Sequence, residues 1–108
     1  MRILLAFAVL FFSLPVFAQN VEADSLKREL AVTTDPKKLV VILEGLSFAY
    51  VSTSPDTALK YANEGLEIAK KNNNLPGEAL CANALGNVLF SVGDYAKSLE
   101  MFIRNLEI

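Results

Sequence analysis

Residues 82–108 read ANALGNVLFSVGDYAKSLEMFIRNLEI and carry the clearest structural pattern in the 108-residue chain. Two apolar stripes with helical spacing are separated by Gly93, which permits a tight turn, and by Asp94, whose side chain can cap the next helix. The first stripe consists of Ala82, Leu85, Leu89 and Val92, and the second of Tyr95, Leu99, Phe102 and Leu106. The pattern predicts two helices joined by a short turn.

A related pattern precedes this one. Residues 65–68 (GLEI) are matched by residues 105–108 (NLEI) at an offset of 40, and Leu46 corresponds to Leu85 at an offset of 39. Helix pairs repeated at a fixed period are typical of solenoids, in which each pair buries its apolar face against the next. No segment alternates with period two for long enough to predict a strand. The sequence therefore predicts an all-α chain, an α-α superhelical solenoid.

Local start signals divide the chain further. Asp35-Pro36 predicts a helix beginning, because Asp can cap and Pro fits the first turn. Ser54-Pro55-Asp56 marks the start of the next helix, and Pro76 opens the one after it. A leader helix is predicted from about Val21 to Ala31. The predicted organisation is a signal peptide at 1–18, the leader at 19–34, a divergent hairpin at 35–74 and a second hairpin at 75–108.

The first eighteen residues resemble an export signal. Arg2 supplies a positive start, residues 3–14 are almost wholly apolar, and Pro15 and Ala18 end the segment with the features of a cleavage site. Cleavage after Ala18 predicts a periplasmic or secreted protein. The alternative is an N-terminal membrane anchor, for which the apolar run is shorter than the roughly 20 residues of a spanning helix.

The second hairpin closely resembles a tetratricopeptide repeat (TPR). The Leu85-Gly86 pair, the turn Gly93–Tyr95, the aromatic Phe102 and the ending Leu106–Ile108 all match that family. Departures from the family pattern occur at Ala82, Leu89, Ser98 and Asn105. In the first hairpin Tyr50, Ala58 and Leu66 fit, without a Leu-Gly pair. Phe102 is expected to fill the space between units.

The resemblance implies a non-catalytic module whose first helices line a concave groove for a protein or peptide. By position, the candidate groove residues are Glu44, Phe48, Val51, Asn83, Asn87 and Phe90. The sequence leaves open whether Asn83 and Asn87 bind a partner or are merely solvated, whereas burial preference predicts that Phe48 and Phe90 belong to the core. The family's carboxylate clamp uses cations where Glu44 and Asn83 stand, so a C-terminal carboxylate is not the expected ligand.

Composition excludes several kinds of site. The chain has no His and one Cys, Cys81, which removes zinc sites of Cys and His and catalytic triads that use His. Cys81 is expected to be a buried small residue rather than a reactive thiol. With a net charge of −2 and no basic block, nucleic-acid binding is not expected. No enzyme activity and no cofactor are predicted.

Two further alternatives concern the role of the chain. The leader, the linker of residues 70–74 and the repeat period resemble exported Bacteroidetes repeat regions that precede a membrane helix and a histidine kinase or regulator. On this alternative the chain is the input region of a signalling receptor. An apolar end at Ile108 also predicts self-association through the last helix or continuation into further repeats. Membrane association is expected only for a receptor fragment or if the signal segment is retained.

Overall fold

The computed structural model describes residues 22–107, and the predicted signal peptide lies outside this range. Five helices follow one another within it, and these residues contain no strand. They are α1 at 22–32, α2 at Pro36–Tyr50, α3 at Pro55–Lys71, α4 at Leu75–Ser91 and α5 at Tyr95–Glu107. The prediction of an all-α helical-repeat solenoid is confirmed.

Side-chain caps begin α2 and α5 where the sequence indicated. Oδ1 of Asp35 accepts a hydrogen bond from the backbone N–H of Lys37 at 3.2 Å, and Asp94 accepts one from Lys97 at 3.3 Å. Each bond satisfies one of the N–H groups that a helix start leaves without a partner. Gly93 has a φ of +85°, a left-handed conformation that glycine adopts without steric cost.

The start of α4 lies one residue earlier than its proline suggested. Asn74 caps the helix, and its side chain accepts a hydrogen bond from the N–H of Gly77 at 3.0 Å. Leu75 is therefore the first helical residue and Pro76 the second. Just before the cap, Asn73 has a φ of +51°, a value that asparagine tolerates better than most residues.

From α2 to α5 each helix packs against the next in sequence, and α2 also packs against α4. The first helices of the two hairpins thus lie side by side. The close approach of α3 rests on its small face, since Ala58, Ala62, Gly65 and Ala69 are all buried. The main core cluster lies between α2, α3 and α4 and comprises Val40, Ala62, Leu66, Ala69, Cys81, Ala84 and Leu85.

Packing within the second hairpin centres on Gly86. A Cβ atom at this position would lie 2.6 Å from the ring of Phe102, so only glycine lets the ring approach α4. Phe102 therefore packs within its own hairpin, whereas the sequence predicted it between the units. Ser98 is buried, and its hydroxyl donates to the Gly86 carbonyl at 2.8 Å. This bond gives a physical reason for serine at a position where alanine was expected.

The leader helix α1 covers part of α2. The side chain of Leu26 lies beside Gly45, where an added Cβ would be only 3.1 Å away. Nζ of Lys27 sits 5.1 Å from the centre of the Tyr50 ring, a cation–π distance. None of the helices within residues 22–107 is long and apolar enough to cross a membrane.

The opposite end of the solenoid is open. The predicted stripe of α5 is largely exposed, because no helix within the described residues covers it. Its exposed members are Tyr95, Leu99 and Leu106, and Ile103 outside the stripe is exposed as well.

Candidate functional site

A cleft of about 220 Å³ opens between α2 and α4, the two first helices. We call it the α2–α4 cleft. Its lining consists of Glu44, Ser47, Phe48 and Val51 from α2 and the residue that follows it, and of Ala84, Asn87 and Val88 from α4. The cleft exists because α2 and α4 pack side by side and because a small residue, Ala84, stands on the facing side of α4.

The structure brings together four of the six residues that the sequence proposed for a groove. Glu44, Phe48, Val51 and Asn87 all line the α2–α4 cleft. The remaining two, Asn83 and Phe90, do not line this cleft. Asn83 is exposed on α4 one turn before Asn87.

Phe90 lies at the far end of α4 and makes a ring contact within its own hairpin. Its ring meets that of Tyr95 edge to face, with centroids 5.2 Å apart. This contact joins the end of α4 to the start of α5, and Phe90 is not among the residues that line the α2–α4 cleft. Phe90 is thus an exposed aromatic residue of the hairpin turn.

The prediction that the two phenylalanines belong to the core is wrong. Phe48 is 71% exposed and Phe90 is 60% exposed. Average burial preference decided that prediction, yet the neighbouring core positions of α2 are already occupied by Leu43 and Leu46. Phe48 is therefore a large apolar side chain presented to solvent at the edge of a cleft, as is common at protein-binding sites.

Three lining residues were missed by the sequence analysis, namely Ser47, Ala84 and Val88. A signal for two of them was present, because Ser47 lies three residues after Glu44 and Ala84 three before Asn87, the spacing of neighbours on a helix face. Neither Ser47 nor Ala84 was predicted to line the groove, because both side chains are small. All three are buried, so they form the floor of the cleft.

Glu44 is the one charged residue among those that line the cleft. Burial raises the pKa of its carboxyl, because the charged form loses hydration. Cys81 lies in the core on α4, and burial together with the nearby Glu44 carboxylate raises the pKa of its thiol to about 11. Cys81 is therefore a neutral, buried thiol at physiological pH, as the sequence predicted.

The cleft is small and mostly apolar. Pockets for small molecules usually measure about 300–1,000 Å³, and this one is smaller. Its lining offers apolar area, one hydroxyl, one amide and one carboxylate. Within residues 22–107 no group of three or more acidic, Cys or His side chains is placed to hold a metal ion.

Comparison with known families agrees with this architecture. Residues 18–104 match the family model described as the SusR N-terminal TPR domain. The match covers most of the chain and confirms the resemblance to TPR proteins. Comparisons with curated proteins and with solved structures gave no match.

Proposed function

Since the chain belongs to the SusR N-terminal TPR domain family, we propose that it binds a segment of another protein in the α2–α4 cleft. TPR domains are generally non-catalytic modules that contact proteins or peptides. The observation that carries the proposal is the exposed Phe48 at the edge of this cleft. An aromatic ring so placed adds a large area of apolar contact at little entropic cost.

The polar residues of the groove complete the proposal. Asn87 carries two donors and an acceptor able to bond the backbone of a bound segment. Asn83, one turn earlier, extends this line of amides beyond the cleft. Val51 supplies an apolar contact toward the end of the groove.

Phe48→Ala is expected to weaken peptide binding about tenfold, because truncating an aromatic anchor typically costs more than 1 kcal/mol. Peptides are first selected from a displayed random library on the wild-type protein, and their affinities are then measured by calorimetry. The matched control is Val41→Ala, which changes a 58% exposed residue of the same helix outside this cleft.

Both variants should retain the circular-dichroism spectrum and the stability of the wild type, since exposed positions contribute little to folding. Equal loss of binding in the two variants, or none in Phe48→Ala, would contradict the proposed site. A selection that enriches no peptide would contradict the function itself.

Export of the protein is also part of the proposal. The basic start, the apolar run and Ala18 support removal of residues 1–18, so we expect the protein in the cell envelope of its host to begin at Gln19. N-terminal sequencing and intact mass of the native protein measure this. A membrane-retained species that still begins at Met1 would favour the anchor instead.

The alternative function is the input region of a signalling receptor. The family description refers to an N-terminal domain, which is the position that an input region would take. The intact mass of the native protein tests this alternative too. An apolar run of about 20 residues after Ile108, followed by a kinase or regulator sequence, would establish it.

Sedimentation of the isolated chain tests the predicted self-association through α5.

A further inference from the structure

The charge of the α2–α4 cleft is unbalanced. Glu44 is half-buried between apolar walls, and no basic residue lines the cleft. Within residues 22–107 no hydrogen bond or ion pair engages its carboxylate, and loss of hydration is the cause of its raised pKa. A carboxylate in this position is stabilised most by a cation brought from outside, because opposite charges favour the ionised form.

The walls around Glu44 specify what kind of cation fits. Phe48, Ala84 and Val88 are apolar, so the cation must carry an apolar stem. Arginine and lysine have this form, since their methylene chains pack on apolar surface while the charged end reaches a polar partner. The ring of Phe48 adds an attraction for the cation itself. A volume of about 220 Å³ accommodates one such side chain.

We propose that the α2–α4 cleft is a specificity pocket for one basic side chain, arginine or lysine, of the bound protein segment. The charged end pairs with Glu44, and the methylene stem lies between Phe48 and Val88. Asn87 can accept a further hydrogen bond from the guanidinium or ammonium group. The inference rests on the proposed function and specifies the chemistry of its partner.

The selected peptides test this pocket directly. Clones recovered on the wild-type protein are expected to share a basic residue at one position. Glu44→Gln should weaken binding of such a peptide about tenfold or more, as expected for removing one member of a partly buried charge pair. A peptide with citrulline in place of arginine, or norleucine in place of lysine, should bind the wild type and Glu44→Gln equally.

Glu64→Gln is the matched control, because it removes the same charge from an exposed position on α3. Its effect measures the general attraction between an acidic protein and a basic peptide, which high salt screens. The loss in Glu44→Gln should exceed this effect and should persist at high salt.

The pH dependence gives a second readout. Burial raises the pKa of the Glu44 carboxyl in the free protein, and a bound cation would lower it again because it favours the charged form. Binding therefore releases protons near this pKa, and the affinity rises as the pH rises through it. The thiol of Cys81 remains neutral in this range, since its pKa is about 11. Calorimetry in two buffers of different ionisation enthalpy measures the release, which Glu44→Gln should abolish.

The results of these binding experiments distinguish failure of the basic-residue pocket from failure of the proposed peptide-binding function. Peptides that lose affinity in Phe48→Ala but share no basic residue, or that bind Glu44→Gln unchanged, would overturn the basic-residue pocket and leave the function standing. Absence of any cleft-dependent peptide overturns both. A dimer that Phe48→Ala dissociates would place a second copy of the chain in the cleft and overturn the pocket as well.

Discussion

Replacing Leu46 with alanine is expected to lower the free energy of unfolding by about 3 kcal/mol. The side chain is 0% exposed in the middle of α2, and the alanine variant leaves a cavity that the surrounding helices fill only in part. For a domain of this size the loss corresponds to a fall in the melting temperature of more than about 10 °C. Thermal and urea unfolding followed by circular dichroism measure it.

The control for Leu46→Ala is the same substitution at Leu75, the first residue of α4, which is 56% exposed. That variant should remain within about 0.5 kcal/mol of the wild type, because exposed sites contribute little. Similar losses in the two variants would mean that Leu46 does not lie in the core.

The second large effect is a coupling between Gly65 and Cys81. A Cβ atom added at Gly65 would lie 2.7 Å from Sγ of Cys81, whereas the next nearest atom, Cβ of Leu43, would be at an ordinary contact distance of 3.4 Å. Gly65→Ala should therefore destabilise the protein by about 1 kcal/mol, because overpacking outweighs the gain in helix propensity. Cys81→Ala removes Sγ and thus the obstacle.

In the Cys81→Ala background, Gly65→Ala is expected to stabilise the protein by about 1 kcal/mol, since only the helix propensity then changes. The double-mutant cycle should give a coupling energy of about 2 kcal/mol, measured by urea unfolding of the four proteins. Additive effects of the two substitutions would show that α3 and α4 are not in contact at these residues.

Much of the fold could be predicted from local signals. Asp35 and Asp94 cap helices where the sequence placed them, and Gly93 takes the left-handed turn that glycine permits. Such features depend on a few adjacent residues, and a repeat at a fixed offset then indicates how the hairpins stack.

The candidate site was predicted only in part. The resemblance to TPR proteins placed Glu44, Phe48 and Asn87 in the groove by position, and all three line the α2–α4 cleft. Val88 was missed because a buried residue in a cleft floor has no distinct pattern, and Ser47 was missed although it lies on the same helix face as Glu44. Phe48 was assigned to the core on average preference, although α2 buries a different part of its surface.

The sequence by itself determined the helices, their order and their pairing, because capping groups, turn residues and apolar periodicity act over a few residues along the chain. Only the tertiary structure decided that Phe48 is exposed, that Phe90 turns to Tyr95, and that Glu44 stands in an apolar cleft. The reason is physical. Exposure and the hydration of a carboxylate depend on which neighbouring helix covers a given face, and that is set by how α2 and α4 pack across the repeat.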